Sequence, residues 1–209
     1  MRMERPQFSF LGHLPLSRRA AALAEQHHKG QKRLGDSAGY MLHLFEVASL
    51  LDRSGYPDHV VAGAILHDVL EDTDALRDEL DAEFGSEVGE LVSLVSDDPT
   101  ILDEEERKDD VRERVRRSSD YAAVLYAADK ISKVGELRLL MASDPNDPQI
   151  EVRLGRYSKS LAMLAEKIPD NRLVALLRFL LEALDQFPPR RFVDGAWRPG
   201  ISRTTVVEG

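Results

Sequence analysis

The most restrictive feature of the sequence is a set of ionisable residues within an apolar helix pattern. Residues 59–72 carry apolar side chains over a wide arc, which predicts a central, buried helix. Four ionisable side chains lie in its second half: His67, Asp68, Glu71 and Asp72. At about 100° per residue, these side chains share less than half of the helix circumference. Burying several carboxylates together is costly unless a cation neutralises them, so the pattern favours a fold around a bound metal ion.

The ligands available to such an ion are limited, because the chain contains no cysteine. A disulfide scaffold, a thiolate zinc site and a cysteine nucleophile are therefore excluded. The other candidate ligands are His43, on the preceding predicted helix, and Asp129, which follows two alanines on a later apolar helix. Each also has a structural alternative, since either could form only an interhelical polar contact. Together, the pattern H … HD … D on three helices favours a metal site.

The remaining pattern predicts an all-α fold, and the abundance of Ala and Leu supports it. We expect one helical domain at residues 17–186, with irregular extensions at 1–16 and 187–209. No strand pattern of useful length occurs before the C-terminal extension. Residues 104–117 are polar on nearly all sides and predict a surface helix or a mobile segment. The other predicted helices span residues 17–28, 40–53, 59–72, 76–84, 86–95, 121–141, 149–168 and 171–186.

The charge and hydropathy of the chain narrow the class of partner. The net charge is −9, and an acidic domain is poorly suited to bind a nucleic acid polymer, whose affinity comes mainly from phosphate neutralisation. A small phosphorylated ligand needs only a few basic side chains and a metal. No secretory signal is found in residues 1–10, and no apolar run approaches the ~18 residues of a membrane span. We therefore expect a cytoplasmic location and no membrane partner, and the oligomeric state stays open.

Five segments carry a resemblance to a known family. They are HKGQKR at 28–33, GYMLH at 39–43, AILHDVLEDT at 64–73, FGSEV at 84–88 and ADK at 128–130. In this order, the segments resemble the HD-domain metal-dependent phosphohydrolases. The likeness is greatest to the hydrolase domains of RelA/SpoT-type (p)ppGpp hydrolases and to small alarmone hydrolases, and it covers roughly residues 20–140. The resemblance implies an HD-domain helical bundle with a central metal site.

The resemblance also implies roles for individual residues at the metal. The implied metal ligands are His43, His67, Asp68 and Asp129. Manganese is the usual metal of the family, and a mixed set of imidazole and carboxylate ligands suits Mn²⁺ or Fe²⁺ and is possible for Zn²⁺. Glu71 and Asp72 would position or activate the attacking water. Four protein ligands leave open positions in a six-coordinate sphere, as catalysis requires.

A second set of residues is expected to contact the substrate. Lys32 and Arg33 occupy positions at which the family places basic residues near the nucleotide, and Tyr40 borders the same pocket. Lys130 would offset phosphate charge, and Lys133 would add a further phosphate contact. The alternative for Lys32 and Arg33 is a solvated loop, and for Lys133 an exposed side chain.

The expected function is that of a metal-dependent nucleotide pyrophosphohydrolase of the guanosine 3′,5′-bis(diphosphate) 3′-pyrophosphohydrolase type. Two positions depart from the family pattern: Leu44 replaces a proline, and Lys133 replaces an asparagine in a segment that touches the nucleoside. An alternative is therefore an HD-domain phosphohydrolase acting on another phosphorylated nucleotide or dinucleotide. A non-catalytic nucleotide sensor is a third hypothesis, with weak support because Glu71 and Asp72 are both present.

Overall fold

The computed structural model describes residues 6–31 and 40–189, together with the backbone of two short strands at 191–193 and 196–198. A 3₁₀ helix spans Pro6–His13. The strands β1 (Arg191–Val193) and β2 (Ala196–Arg198) pair antiparallel. The helices are α1 (Pro15–His27), α2 (Met41–Arg53), α3 (Asp58–Leu66), α4 (Val69–Asp72), α5 (Arg77–Phe84), α6 (Ser86–Val95), α7 (Glu104–Arg117), α8 (Asp120–Ser143), α9 (Gln149–Lys167) and α10 (Arg172–Gln186). The all-α class is confirmed.

Both ends of the chain contain more regular structure than the sequence indicated. Helix α1 begins at Pro15 rather than Ser17, because the Asp58 carboxylate accepts hydrogen bonds from the backbone N–H groups of Leu16 (2.8 Å) and Ser17 (2.9 Å). The strand pair β1–β2 lies in a tail that was expected to be irregular. The domain limits 17–186 stay a prediction.

The central helix predicted over residues 59–72 is divided at His67 and Asp68 into α3 and α4. The reason is a side-chain hydrogen bond, since His67 Nδ1 donates to the Ala64 carbonyl at 2.7 Å. That carbonyl is the one that would accept the Asp68 N–H in a continuous helix. The turn therefore places His67 and Asp68 at a helix junction, where their side chains leave the strict helical spacing.

Two helices form the centre of the molecule and carry the site. Every side chain of α3 from Val60 to Leu66 is buried, and α8 packs against α2, α3, α6, α7, α9 and α10. Residues 122–129 of α8 are all buried, so Asp129 lies in the interior. Among the described helices, none has both the length and the apolar character needed to cross a bilayer.

Helix α7, predicted as a surface helix or a mobile segment, is a regular helix attached to α6, α8 and α9. Asp103 caps its start by accepting a hydrogen bond from the Glu106 N–H at 2.9 Å. Arg156 of α9 reaches its first turn and donates hydrogen bonds to Glu104 (2.7 Å) and Glu105 (2.5 Å). These contacts place α7 and α9 side by side next to α8.

Candidate metal centre

The four side chains predicted as metal ligands come from three parts of the fold and meet in its interior. This set, called the metal cluster, consists of His43 on α2, His67 and Asp68 at the α3–α4 turn, and Asp129 on α8. Each residue is at most 5% exposed, so water has little access to the two carboxylates. His43, His67 and Asp129 offer ligand atoms that all lie within 4.8 Å of one another. The composition and compactness of the cluster suit a single ion.

The distances within the metal cluster support the same conclusion. The Nε2 atoms of His43 and His67 are 3.2 Å apart, and Asp129 Oδ1 lies 3.3 Å and 3.5 Å from them, respectively. Asp68 places Oδ2 3.5 Å from His43 Nε2 and Oδ1 3.2 Å from His67 Nε2. Neighbouring ligands of one ion with bonds of about 2.0–2.2 Å lie roughly 2.8–3.6 Å apart. The observed spacings therefore fit an ion between the four side chains.

The hydrogen bonds around the cluster also require a positive charge inside it. Because His67 Nδ1 donates to a carbonyl, the neutral ring presents a lone pair at Nε2, towards the Nε2 of His43. Asp129 Oδ1 is buried and lacks a hydrogen bond of good geometry among the described residues, although the Lys133 ammonium group lies 3.1 Å away. Facing acceptors of this kind repel one another unless a proton or a metal ion lies between them. The donor set therefore fits a divalent cation.

The pKa values of the metal-free cluster also fit a site for a cation. Burial alone would lower the pKa of His43, but the carboxylates of Asp129 and Asp68, which accept from the protonated ring and carry negative charge, outweigh burial and raise the pKa to about 9. Burial would raise the pKa of both carboxyls, but electrostatic interactions outweigh it: those with His67 and Lys133 hold the pKa of Asp68 below its usual range, and those with Lys130 and Lys133 do the same for Asp129. Both carboxylates thus stay ionised in a buried site.

The two residues predicted to act in catalysis lie beside the cluster on α4. The hydroxyl of Tyr40 is 2.6 Å from Asp68 Oδ2 and 2.6 Å from Asp72 Oδ2, so it connects a predicted ligand to a predicted catalytic carboxylate. Glu71 accepts a hydrogen bond from the Asp97 N–H at 3.2 Å. Burial raises the pKa of Glu71, although the charge of Lys108 opposes the shift. Tyr40 was predicted to contact substrate, and in the structure its hydroxyl also lies within hydrogen-bond distance of two carboxylates of the site.

A basic pocket adjoins the metal cluster between α7, α8 and α9, with a volume of about 200 Å³. Lys130 and Lys133, both predicted to contact substrate, line it and pair with Asp129 at 2.6 Å and 3.1 Å. The ammonium group of Lys130 also lies 4.2 Å from the centre of the Tyr126 ring. The complete lining is Lys108, Arg112, Tyr126, Lys130, Lys133, Glu136, Arg153, Arg156, Tyr157 and Ser160.

Sequence reasoning missed most of this lining. Lys108 and Arg112 are four residues apart on α7, and Arg153 and Arg156 are three apart on α9, so each pair shares one helix face. That spacing was the available signal, but only the packing of α7 and α9 against α8 shows that the two faces meet. Lys32 and Arg33 lie outside the described residues, and their predicted substrate contacts stay predictions.

The family assignment follows from comparison with known proteins. The model of the HD domain matches residues 20–152, a range that contains the whole metal cluster. The chain belongs to the HD-domain family. The match also includes all of α7 and α8, and therefore part of the basic pocket. The resemblance inferred from the short motifs is thus confirmed.

Several relatives of the chain have named activities. The chain is 38% identical over 121 residues to the mouse guanosine-3′,5′-bis(diphosphate) 3′-pyrophosphohydrolase MESH1, an alignment covering 56% of this chain and 67% of that protein. The human protein of the same name gives the same identity and coverage. A GTP pyrophosphokinase rsh from Brucella melitensis is 42% identical over 77 residues, but these cover only 10% of its length.

Solved structures agree at the level of the fold. The fold matches that of a metazoan SpoT orthologue that hydrolyses ppGpp, with a TM-score of 0.71 and 26% identity, over 80% of this chain and 94% of that one. It also matches lmo0812 from Listeria monocytogenes, with a TM-score of 0.57 and 25% identity, over 68% of this chain and 97% of that one. The helical arrangement of the chain is therefore shared with that SpoT orthologue.

Proposed function

We propose that this protein is a metal-dependent nucleotide pyrophosphohydrolase of the guanosine 3′,5′-bis(diphosphate) 3′-pyrophosphohydrolase type. The observation that carries the proposal is the position of the buried metal cluster directly beside the basic pocket, with Asp129 adjoining both. A phosphate held by the cations of the pocket would have its neighbouring phosphorus close to the metal cluster. The named activities of the MESH1 relatives and of the SpoT orthologue support the same reaction.

The metal would be held by His43, His67, Asp68 and Asp129. A divalent ion supplies Lewis-acid polarisation of a phosphoryl oxygen and makes water a better nucleophile near neutral pH. We favour Mn²⁺, with Fe²⁺ and Zn²⁺ as alternatives, because the ligands combine two imidazoles with two hard carboxylates.

The residues on α4 and in the basic pocket would perform the remaining steps. Glu71 is held by the Asp97 N–H at Oε2, and its Oε1 would accept the proton of the attacking water. The raised pKa of Glu71 brings it closer to neutral, which suits a general base. Asp72, held by the Tyr40 hydroxyl, would orient that water. Lys130 and Lys133 would neutralise charge on the pyrophosphate group that hydrolysis releases.

The neighbourhood of Lys133 favours a second candidate substrate. Its ammonium group lies 3.1 Å from Asp129 Oδ1 and lines the basic pocket. In the pattern of the family, this position carries an asparagine in a segment that touches the nucleoside. A cation here favours an additional phosphate over a base or sugar. The second candidate is therefore an HD-domain phosphohydrolase acting on another phosphorylated nucleotide or dinucleotide.

A substrate panel separates the two candidates. Purified protein would be freed of metal, reloaded with Mn²⁺, Fe²⁺ or Zn²⁺, and assayed for phosphate and pyrophosphate release from guanosine 3′,5′-bis(diphosphate) and from other phosphorylated nucleotides and dinucleotides. Release of pyrophosphate from the 3′ position of the guanosine compound supports the first candidate. Turnover of another nucleotide, with none of the guanosine compound, supports the second. Ligand binding without turnover of any compound would contradict both. A cytoplasmic location stays a prediction.

A further inference from the structure

A serine and a glutamate behind the metal cluster contact one of its histidines. Ser132 lies three residues after Asp129 on α8, and Glu46 lies three residues after His43 on α2, so each shares a helix face with a predicted ligand. Ser132 Oγ donates a hydrogen bond to Glu46 Oε2 at 2.6 Å. The same oxygen is 2.9 Å from His43 Nδ1. The three side chains thus form a chain of hydrogen bonds from the exposed Glu46 through Ser132 to the buried His43.

The number of available protons decides the direction of these hydrogen bonds. The hydroxyl of Ser132 has one proton, and the carboxylate of Glu46 can only accept. When that proton is donated to Glu46, the Ser132 oxygen must accept from His43 Nδ1–H. If it were donated to His43 instead, two acceptor oxygens would face each other at 2.6 Å. The neutral ring of His43 therefore carries its proton on Nδ1 and presents the Nε2 lone pair to the cluster.

We propose that Ser132 and Glu46 are positioning residues that hold His43 in the tautomer and ring orientation needed to bind the metal. This inference rests on the metal centre of the proposed function. The tautomer and orientation of His67 are instead fixed by a backbone acceptor, the Ala64 carbonyl, which is present whatever the side chain at that position. His43 is oriented by side chains of two helices, so its control can be removed by substitution. Such outer partners of metal-ligating histidines are worth about 10–100-fold in metal affinity or activity.

The chain offers a matched control elsewhere in the fold. Ser17 is buried, and its hydroxyl donates to Asp58 Oδ1 at 2.6 Å, the same length as the bond from Ser132 to Glu46. Ser17 lies on α1 and bonds to α3, outside the metal cluster. Ser17→Ala therefore removes an equivalent buried serine–carboxylate hydrogen bond without touching a predicted ligand.

The test measures Mn²⁺ affinity directly, by competition with a fluorescent chelator, for the wild-type protein and four variants. We expect Ser132→Ala to weaken Mn²⁺ binding by about 10–100-fold. Glu46→Gln, at an exposed position, should weaken Mn²⁺ binding less, because an amide oxygen still accepts from Ser132. Ser132→Thr, which retains the hydroxyl, and Ser17→Ala should both bind Mn²⁺ within about twofold of wild type.

A second readout reports the tautomer itself. Long-range ¹H–¹⁵N correlation spectra of the Zn²⁺-loaded protein should show the His43 proton on Nδ1 in wild type, and Ser132→Ala should shift or broaden that signal. If Ser132→Ala and Glu46→Gln both bind Mn²⁺ as tightly as wild type, or if His43 carries its proton on Nε2, the positioning proposal is wrong. If the wild-type protein binds none of the three metals, the positioning proposal and the proposed function are both wrong.

Discussion

The metal cluster and the basic pocket are two halves of one site. They differ in the sign of their charge, in how deeply their residues are buried and in where those residues lie along the chain. The metal cluster takes two predicted ligands from adjacent positions, His67 and Asp68, and is almost fully buried. The basic pocket draws its cations from three helices and from positions as far apart as Lys108 and Arg156, and it opens to solvent. Both halves meet at Asp129, which belongs to the metal cluster and pairs with two lysines of the pocket.

This difference separates two tasks within one site. A metal ion needs a small number of ligands in fixed positions, so its residues are buried and are held by hydrogen bonds such as that of His67 to Ala64. A phosphate group is held by several cations at once, so loss of one cation leaves the others in place. We therefore expect changes in the metal cluster to abolish turnover and changes in the basic pocket to alter substrate affinity.

The largest effect is expected from His67→Ala. Loss of a ligand should cost more than the roughly 10–100-fold attributed to an outer partner, so both bound metal and turnover should fall below detection. Elemental analysis of the purified protein and a phosphate-release assay would measure the two quantities. His59→Ala is the control, because His59 contacts Tyr121 and lies outside the metal cluster. Turnover by a His67→Ala protein that contains no metal would contradict the division between the two halves.

The next largest effect is expected from Glu71→Gln, which preserves the shape of the side chain and removes its capacity to accept a proton. The turnover number should fall by about 10²–10⁴-fold, the usual contribution of a general base. Metal content should stay unchanged, because Glu71 is not a predicted ligand. Glu87→Gln, at an exposed position on α6, is the control. A loss of metal together with activity would instead show that Glu71 belongs to the metal cluster.

The contrast between the metal cluster and the basic pocket also explains which parts of the molecule could be predicted from the sequence. The apolar periodicity located the helices of the core, and the string from His67 to Asp72 located the metal cluster, because carboxylates buried together need a cation to neutralise them. The sequence did not predict the break between α3 and α4, since it depends on one side-chain hydrogen bond from His67. The lining from α7 and α9 was also missed, because it depends on tertiary packing that no local pattern encodes.

A smaller and different effect is expected in the basic pocket from Arg153→Ala. Arg153 forms no ion pair with any carboxylate in the part of the chain that the structure describes, so its guanidinium is available to a phosphate. Loss of one charged hydrogen bond costs about 1.5–3 kcal/mol, so KM should rise roughly 10–100-fold while kcat changes little. Arg178→Ala, at an exposed position on α10, is the control. A fall in kcat at constant KM would mean that Arg153 acts on the transition state and not on ground-state binding.

The smallest effect is expected in the pH dependence of metal binding, which tests whether a metal ion and a proton compete for His43. Carboxylates beside His43 raise its pKa to about 9 in the metal-free protein, so the ring is protonated at neutral pH, whereas a metal ligand must be neutral. Metal binding near pH 7 should therefore release close to one proton, and the apparent affinity should rise by up to about tenfold per pH unit until the pH reaches about 9.

Titration calorimetry in two buffers of different ionisation enthalpy measures this proton release. Metal binding without proton release would mean that the carboxylates do not hold a proton on His43, and that the cluster is less strongly anionic than its burial and spacing indicate.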